Sequence, residues 1–96
     1  MFTGRDVHNF VLAARKLKLA TPSQGKPFEC EADQTGIYLK NSAGNPRKVG
    51  LVELDTFCKE FGRSGARSAS HYQAQTFNAS YLLALVDAFV EARQQA

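Results

Sequence analysis

Ninety-six residues suffice for one small domain with its own hydrophobic core, and a single domain over residues 1–96 is the expectation. The composition, 44% hydrophobic and 22% charged, is that of a soluble globular protein; the longest apolar run, Tyr81 to Val86, is far too short to cross a bilayer, so no membrane role is expected. The formal charge of +3 is unevenly placed, with net +4 over residues 1–26, −2 over 27–62 and +1 over the rest, an asymmetry that suits an anionic partner without requiring one.

The N-terminus shows no basic stretch followed by an apolar core and a cleavage site, so a cytoplasmic location is expected. Thr3 can cap a helix beginning near Gly4, with Asp6 in its electropositive first turn. Val7, Phe10, Val11, Ala14 and Leu17 recur at helical spacing as an inward face. Arg15, Lys16 and Lys18 then fall in the last turn, where cations suit the negative end of the helix. His8 reads as a surface or boundary histidine, and Thr21 to Pro27, with two prolines and a glycine, as a linker.

Phe28 to Ala32 alternates apolar with acidic residues, the period of a half-buried strand. Asp33 to Gly36 is a turn, and Ile37 to Asn41 alternates again with Ile37 and Leu39 inward, so the two runs predict an antiparallel hairpin. Ser42 to Pro46 is a second turn, and Arg47-Lys48-Val49 a short third strand. Leu54, Phe57, Cys58 and Phe61 place an apolar stripe on a helix from Leu51 to Phe61, with Glu53, Asp55, Lys59 and Glu60 outside and Gly62 as its stop. Cys30 and Cys58 form no Cys-x-x-Cys pair, and with only two histidines available they read as buried free thiols rather than metal ligands.

The strongest helical pattern is the last. Leu82, Leu85, Val86 and Phe89 form one stripe, Leu83 and Val90 widen it, and Asn78 stands where its side-chain oxygen can accept from an amide of the first turn. Two or three strands cannot stand alone in water, so the fold class is α+β: three helices packed on a two- or three-stranded antiparallel hairpin, in the order α-β-β-(β)-α-α.

Catalytic motifs are missing. Gly62-Arg63-Ser64-Gly65 lacks the spacing of a nucleophile elbow, and neither phosphate-binding glycine signature occurs. Glu29, Glu31 and Asp33 share a strand face and read as its solvated side rather than as magnesium ligands. No enzyme, metal or cofactor is therefore expected. Binding is the better expectation. Gly62 to Ser70 carries Arg63, Arg67 and three serines, an inventory suited to phosphate, with His71, Tyr72 and Gln75 close by.

His71 to Leu85, with its Thr-x-Asn-Ala-Ser-Tyr phrase leading into an apolar helix, resembles an element of bacterial restriction-type and HNH-nuclease-associated proteins. Gly36 to Val49 is similar to the hairpin that precedes that element, and the likeness covers about residues 25–92. The resemblance implies an accessory DNA-recognition module without the nuclease. Duplex DNA is then the implied partner. Arg63, Arg67, Ser70, His71, Tyr72 and Gln75 would contact it, with Lys40, Arg47 and Lys48 of the hairpin on the backbone. An equally economical reading of the same phrase has Thr76 and Asn78 as caps and the tyrosines as packing. The alternative function is a homodimeric small-molecule-binding or protein-interaction domain, paired through Leu83, Val86, Phe89 and Val90 of the last helix.

Overall fold

The computed structural model describes residues 2–44 and 46–95. Its elements run α1 (Gly4–Ala14), β1 (Lys16–Ala20), β2 (Pro27–Asp33), β3 (Gly36–Asn41), β4 (Pro46–Gly50), α2 (Leu51–Ser64), a 3-10 turn (Ala69–Tyr72) and α3 (Ala79–Gln95). The four strands form one antiparallel meander in the order β1-β2-β3-β4. The α+β class holds, with four strands rather than two or three.

The additional strand comes from a misread helix end. Thr3 does cap α1, its Oγ1 accepting from the amide of Asp6 while Asp6 Oδ2 accepts from the amide of Thr3, but the helix stops at Ala14. Arg15 turns the chain at φ 67°, outside the helical region. Lys16-Leu17-Lys18-Leu19-Ala20 then alternates exposed and half-buried positions as a strand. Leu17 thus faces inward from β1 rather than from the helix, and Ala14 is exposed. The three cations have no dipole role at the end of α1. Thr21 to Pro27 is likewise no linker but a hairpin loop: Thr21 Oγ1 accepts from the amide of Lys26, and the amide of Thr21 donates to the Lys26 carbonyl. In the third connection an Asx turn closes on Asn41, whose Oδ1 accepts from the amide of Ala43; Asn45 of that turn lies outside the described residues.

Register sorts the sheet into two faces. Leu17, Cys30 and Leu39 share an inner row, as do Ala32, Ile37 and Val49. On the outer face Lys18, Glu29, Lys40 and Pro46 form one row and Lys16, Glu31, Tyr38 and Lys48 the next. The helices cover the inner face, α1 supplying Val7 and Val11 and α2 supplying Leu54, Phe57 and Cys58 to the core. α3 contributes five consecutive buried residues, Leu82 to Val86, and so is enclosed around its whole girth.

That enclosure corrects the expected dimer surface. Leu83, Val86 and Phe89 lie in the protomer's own core, and Val90 packs against it half-buried. Gly62 is not the stop of α2; the helix runs on to Ser64 and closes on Gly65 in the left-handed conformation. Cys30 and Cys58 are buried free thiols, and burial pushes each up to about 12. Among the described residues no helix is long and apolar enough to cross a membrane.

α1 and α2 meet backbone to side chain at Gly4, whose amide donates to Asp55 Oδ1 over 3.1 Å. A Cβ on Gly4 would stand 2.6 Å from Asp55 Cα. Gly4→Ala is therefore expected to lose about 1–3 kcal/mol of stability by forcing the two helices apart, read from the urea midpoint.

Candidate nucleic-acid interface

The loop expected to bind phosphate is already neutralised. Arg63 lays its guanidinium on Glu60, Nε 2.9 Å from Oε1 and Nη2 2.5 Å from Oε2. His71 Nε2 lies 2.6 Å from the same Oε2. Arg67 Nη2 donates to the carboxylate of Asp87 on α3 at 2.5 Å. Tyr72 is fully buried and donates its hydroxyl to the carbonyl of Ala66 over 2.6 Å, so it is a core residue that anchors the loop. Ser70 Oγ pairs with Ser68 Oγ, and Gln75 is exposed with its amide on the Tyr72 carbonyl. Glu60, half-hidden on α2, thus holds both Arg63 and His71, while Asp87 and Tyr72 hold the middle of the loop.

The hairpin cations fare differently. Arg47 and Lys48 are neighbours on β4 and point to opposite faces. Lys48 stands over the Tyr38 ring on the outer face, near Asp33. Arg47 reaches the helix side and lies 6.0 Å from the centre of the Tyr81 ring. The predicted set is therefore split: Lys40 and Arg47 stand at one end of the sheet but on opposite faces, Lys48 shares Lys40's outer face one row on, and Arg63 and Arg67 are paired elsewhere.

Two cations that sequence reasoning did not nominate join them. Lys18 occupies the Glu29–Lys40 row, and Lys26 closes the β1–β2 loop. Lys18, Lys26, Lys40 and Arg47 are all exposed, and none makes an ion pair with another described residue. Glu29 is the carboxylate among them, held on its other side by Lys16 at 3.7 Å. The strand alternation of Lys16 to Ala20 was the available signal for Lys18.

These four cations surround the end of the sheet that carries the β1–β2 and β3–β4 loops. A groove of about 300 Å³ there is lined by Lys18, Pro27, Phe28, Glu29, Lys40 and Ser42. Tyr81 packs edge-on to Phe28 with ring centres 4.9 Å apart, bringing the start of α3 and its positive dipole end to the same place. A second notch of about 170 Å³ separates Phe77, Ser80 and Tyr81 from Thr21, Ser23 and Lys26. Asp33 and Asp55 lie at the opposite end, the one near Lys48 and the other paired with Lys59. There Asp33 is held down to about 2 by the Thr35 hydroxyl, the Tyr38 hydroxyl and the Thr35 amide, and Asp55 is lowered by the amide of Gly4.

α3 itself is seated by Glu53, which is half-buried rather than outside as its helical position suggests. Its Oε2 accepts from the Thr76 hydroxyl and, at 3.2 Å, from Asn78 Nδ2. Asn78 therefore does not cap with its side-chain oxygen, which has no hydrogen-bond partner among the described residues; its backbone carbonyl accepts from Leu82 instead. Among the described residues no three His, Cys, Asp or Glu side chains stand together as a metal site would require. The His8 ring, nearly buried, donates Nε2–H to the Asp33 carbonyl at 2.6 Å. No family model, curated protein or solved structure matches the chain.

Glu60 is lowered from its ordinary 4.5 to about 2, chiefly by the Arg63 hydrogen bonds and then by His71. A depressed carboxylate stabilises the fold above its unfolded value and loses that contribution as pH falls through the folded one. Glu60→Gln should therefore be less stable than the parent chain at neutral pH, and the difference should close between about pH 4.5 and 2 in urea titrations.

Proposed function

We propose that this chain is a non-enzymatic DNA-binding module whose contact surface is the loop end of the sheet. Four exposed cations without ion pairs, Lys18, Lys26, Lys40 and Arg47, carry this reading. Cations without a carboxylate partner are free to displace counterions from a phosphate backbone. The likeness of residues 25–92 to modules beside HNH nucleases points the same way. The contact moves, however, from the Arg63–Arg67 loop to the hairpin ends, because Glu60 and Asp87 already hold those two arginines.

Four phosphate contacts imply a log-log salt slope of about −3 to −4 and a loss of roughly 100-fold in affinity between about 50 and 200 mM salt. In anisotropy titrations of labelled oligonucleotides, Lys26→Glu with Arg47→Glu should weaken binding by at least about tenfold and flatten the slope by about 2. Arg63→Gln with Arg67→Gln should leave affinity unchanged. The reverse pattern would return the interface to the loop, and no binding at low salt would overturn the function.

A second reading, a small-ligand site, is favoured by the opposite end. A groove of about 460 Å³ there is lined by Arg5, His8, Asn9, Leu12, Leu51 and Asp55, with Leu12 and Leu51 exposed. A ligand seated in it should raise Tm, and Leu51→Arg should remove the rise.

A further inference from the structure

Phe77 is 90% exposed, although it lies between two buried residues, Thr76 and Asn78. Free chain ends and loop tips show apolar side chains because nothing holds them, but this segment is held on both sides. The Thr76 amide donates to the Tyr72 carbonyl over 2.9 Å, and its hydroxyl donates to Glu53 while accepting from the Asn78 amide over 3.0 Å. Asn78 adds its Nδ2 to the same Glu53 oxygen and its carbonyl to the first turn of α3. With its neighbours pinned inward, the Phe77 ring has no route to the core. It is displayed.

The surroundings indicate what the ring is displayed to. Phe77 borders the 170 Å³ notch whose other walls include Lys26 and the hydroxyl-bearing Ser23, Ser80 and Tyr81. Arg47 lies over the Tyr81 ring just beyond. A protein partner of ordinary size would need a contiguous apolar centre. Here the exposed Phe77 ring stands beside Tyr81, Lys26 and hydroxyls, with Arg47 beyond. That combination fits a nucleotide, with a base face for the ring and a phosphate for Lys26.

We infer that Phe77 is a stacking platform for an unpaired base, so that the module prefers single-stranded or locally opened nucleic acid to intact duplex. Stacked, paired bases have no free face to offer, whereas every unpaired base has one. The inference rests on the nucleic-acid reading above and extends it.

Its test uses the intact chain with one oligonucleotide sequence presented as single strand and as duplex. The parent chain should bind the single strand more tightly. Phe77→Ala should weaken single-strand binding by roughly tenfold while leaving duplex affinity and the salt slope unchanged. The chain contains no tryptophan, so Phe77→Trp introduces one fluorophore, and the introduced indole should be quenched by single strand and not by duplex. The ring's exposure makes both variants compatible with the fold. Salt-dependent binding that Phe77→Ala does not alter, with no quenching of the indole, would overturn the platform and leave phosphate binding standing. Absence of any oligonucleotide binding at low salt would overturn both.

Discussion

Enclosure of α3 is the constraint on which the remaining structure depends. Five successive residues from Leu82 to Val86 are buried, which a helix achieves only when neighbours cover every side of it. The leucine and valine side chains among them each contribute roughly 1.5–3 kcal/mol when fully withdrawn from water. Two strands could not provide the cover. The sheet's inner face, α1, α2 and the segment through Tyr72 do so together, with Phe10 and Phe2 closing on Phe89 at ring separations of 5.5 and 5.0 Å. Leu83, Val86 and Phe89 are thereby used within the protomer's own core.

The polar groups follow from this enclosure. Holding α3 against α2 requires a connection that reverses direction within a few residues, and buried polar atoms in such a connection need partners. Glu53 and Glu60, one near each end of α2, supply them: Glu53 takes Thr76 and Asn78, and Glu60 takes Arg63 and His71. Asp87 takes Arg67 on the far side of the loop. A basic loop in the sequence thus becomes a locally neutral one in the fold. Lys18 on β1, Lys26 in the β1–β2 loop, and Lys40 and Arg47 at the facing ends of β3 and β4 are among the cations left without a carboxylate partner by the described residues.

This redistribution explains how a functional reading can keep its class while changing its address. Composition cannot tell a free arginine from a paired one. Arg63 and Arg67 have the more suggestive neighbours in the chain, Gly and Ser, yet their partners are three and twenty residues away. Lys26 looked like a linker residue, and Lys18 like a helix-terminal cation. In the fold Lys26 flanks the start of α3, where Phe77 and Tyr81 add aromatic surface, and Lys18 lies on the outer face of the same sheet end.

Much of the fold was legible from the chain alone. Periodicity identified α2, α3, β2 and β3 and their inward residues, because one buried face repeating at 3.6 or 2 residues leaves a local trace. The capping box of Thr3 and Asp6 marked the start of α1 for the same reason: its two hydrogen bonds span three residues. The end of α1 was not legible, since Leu17 satisfies the helical period from Val7 and equally the strand period with Leu19. Only pairing of Lys16–Ala20 with β2 decides between them. The same holds for Asn78, whose cap lost to Glu53 across 25 residues, and for the exposure of Phe77. What the sequence determined by itself are interactions that close within a turn or alternate along one element. What the tertiary structure alone decided are the long-range partners of Arg67, His71 and Asn78 and the outward aromatic, because those depend on which distant backbone segments are brought within hydrogen-bonding reach.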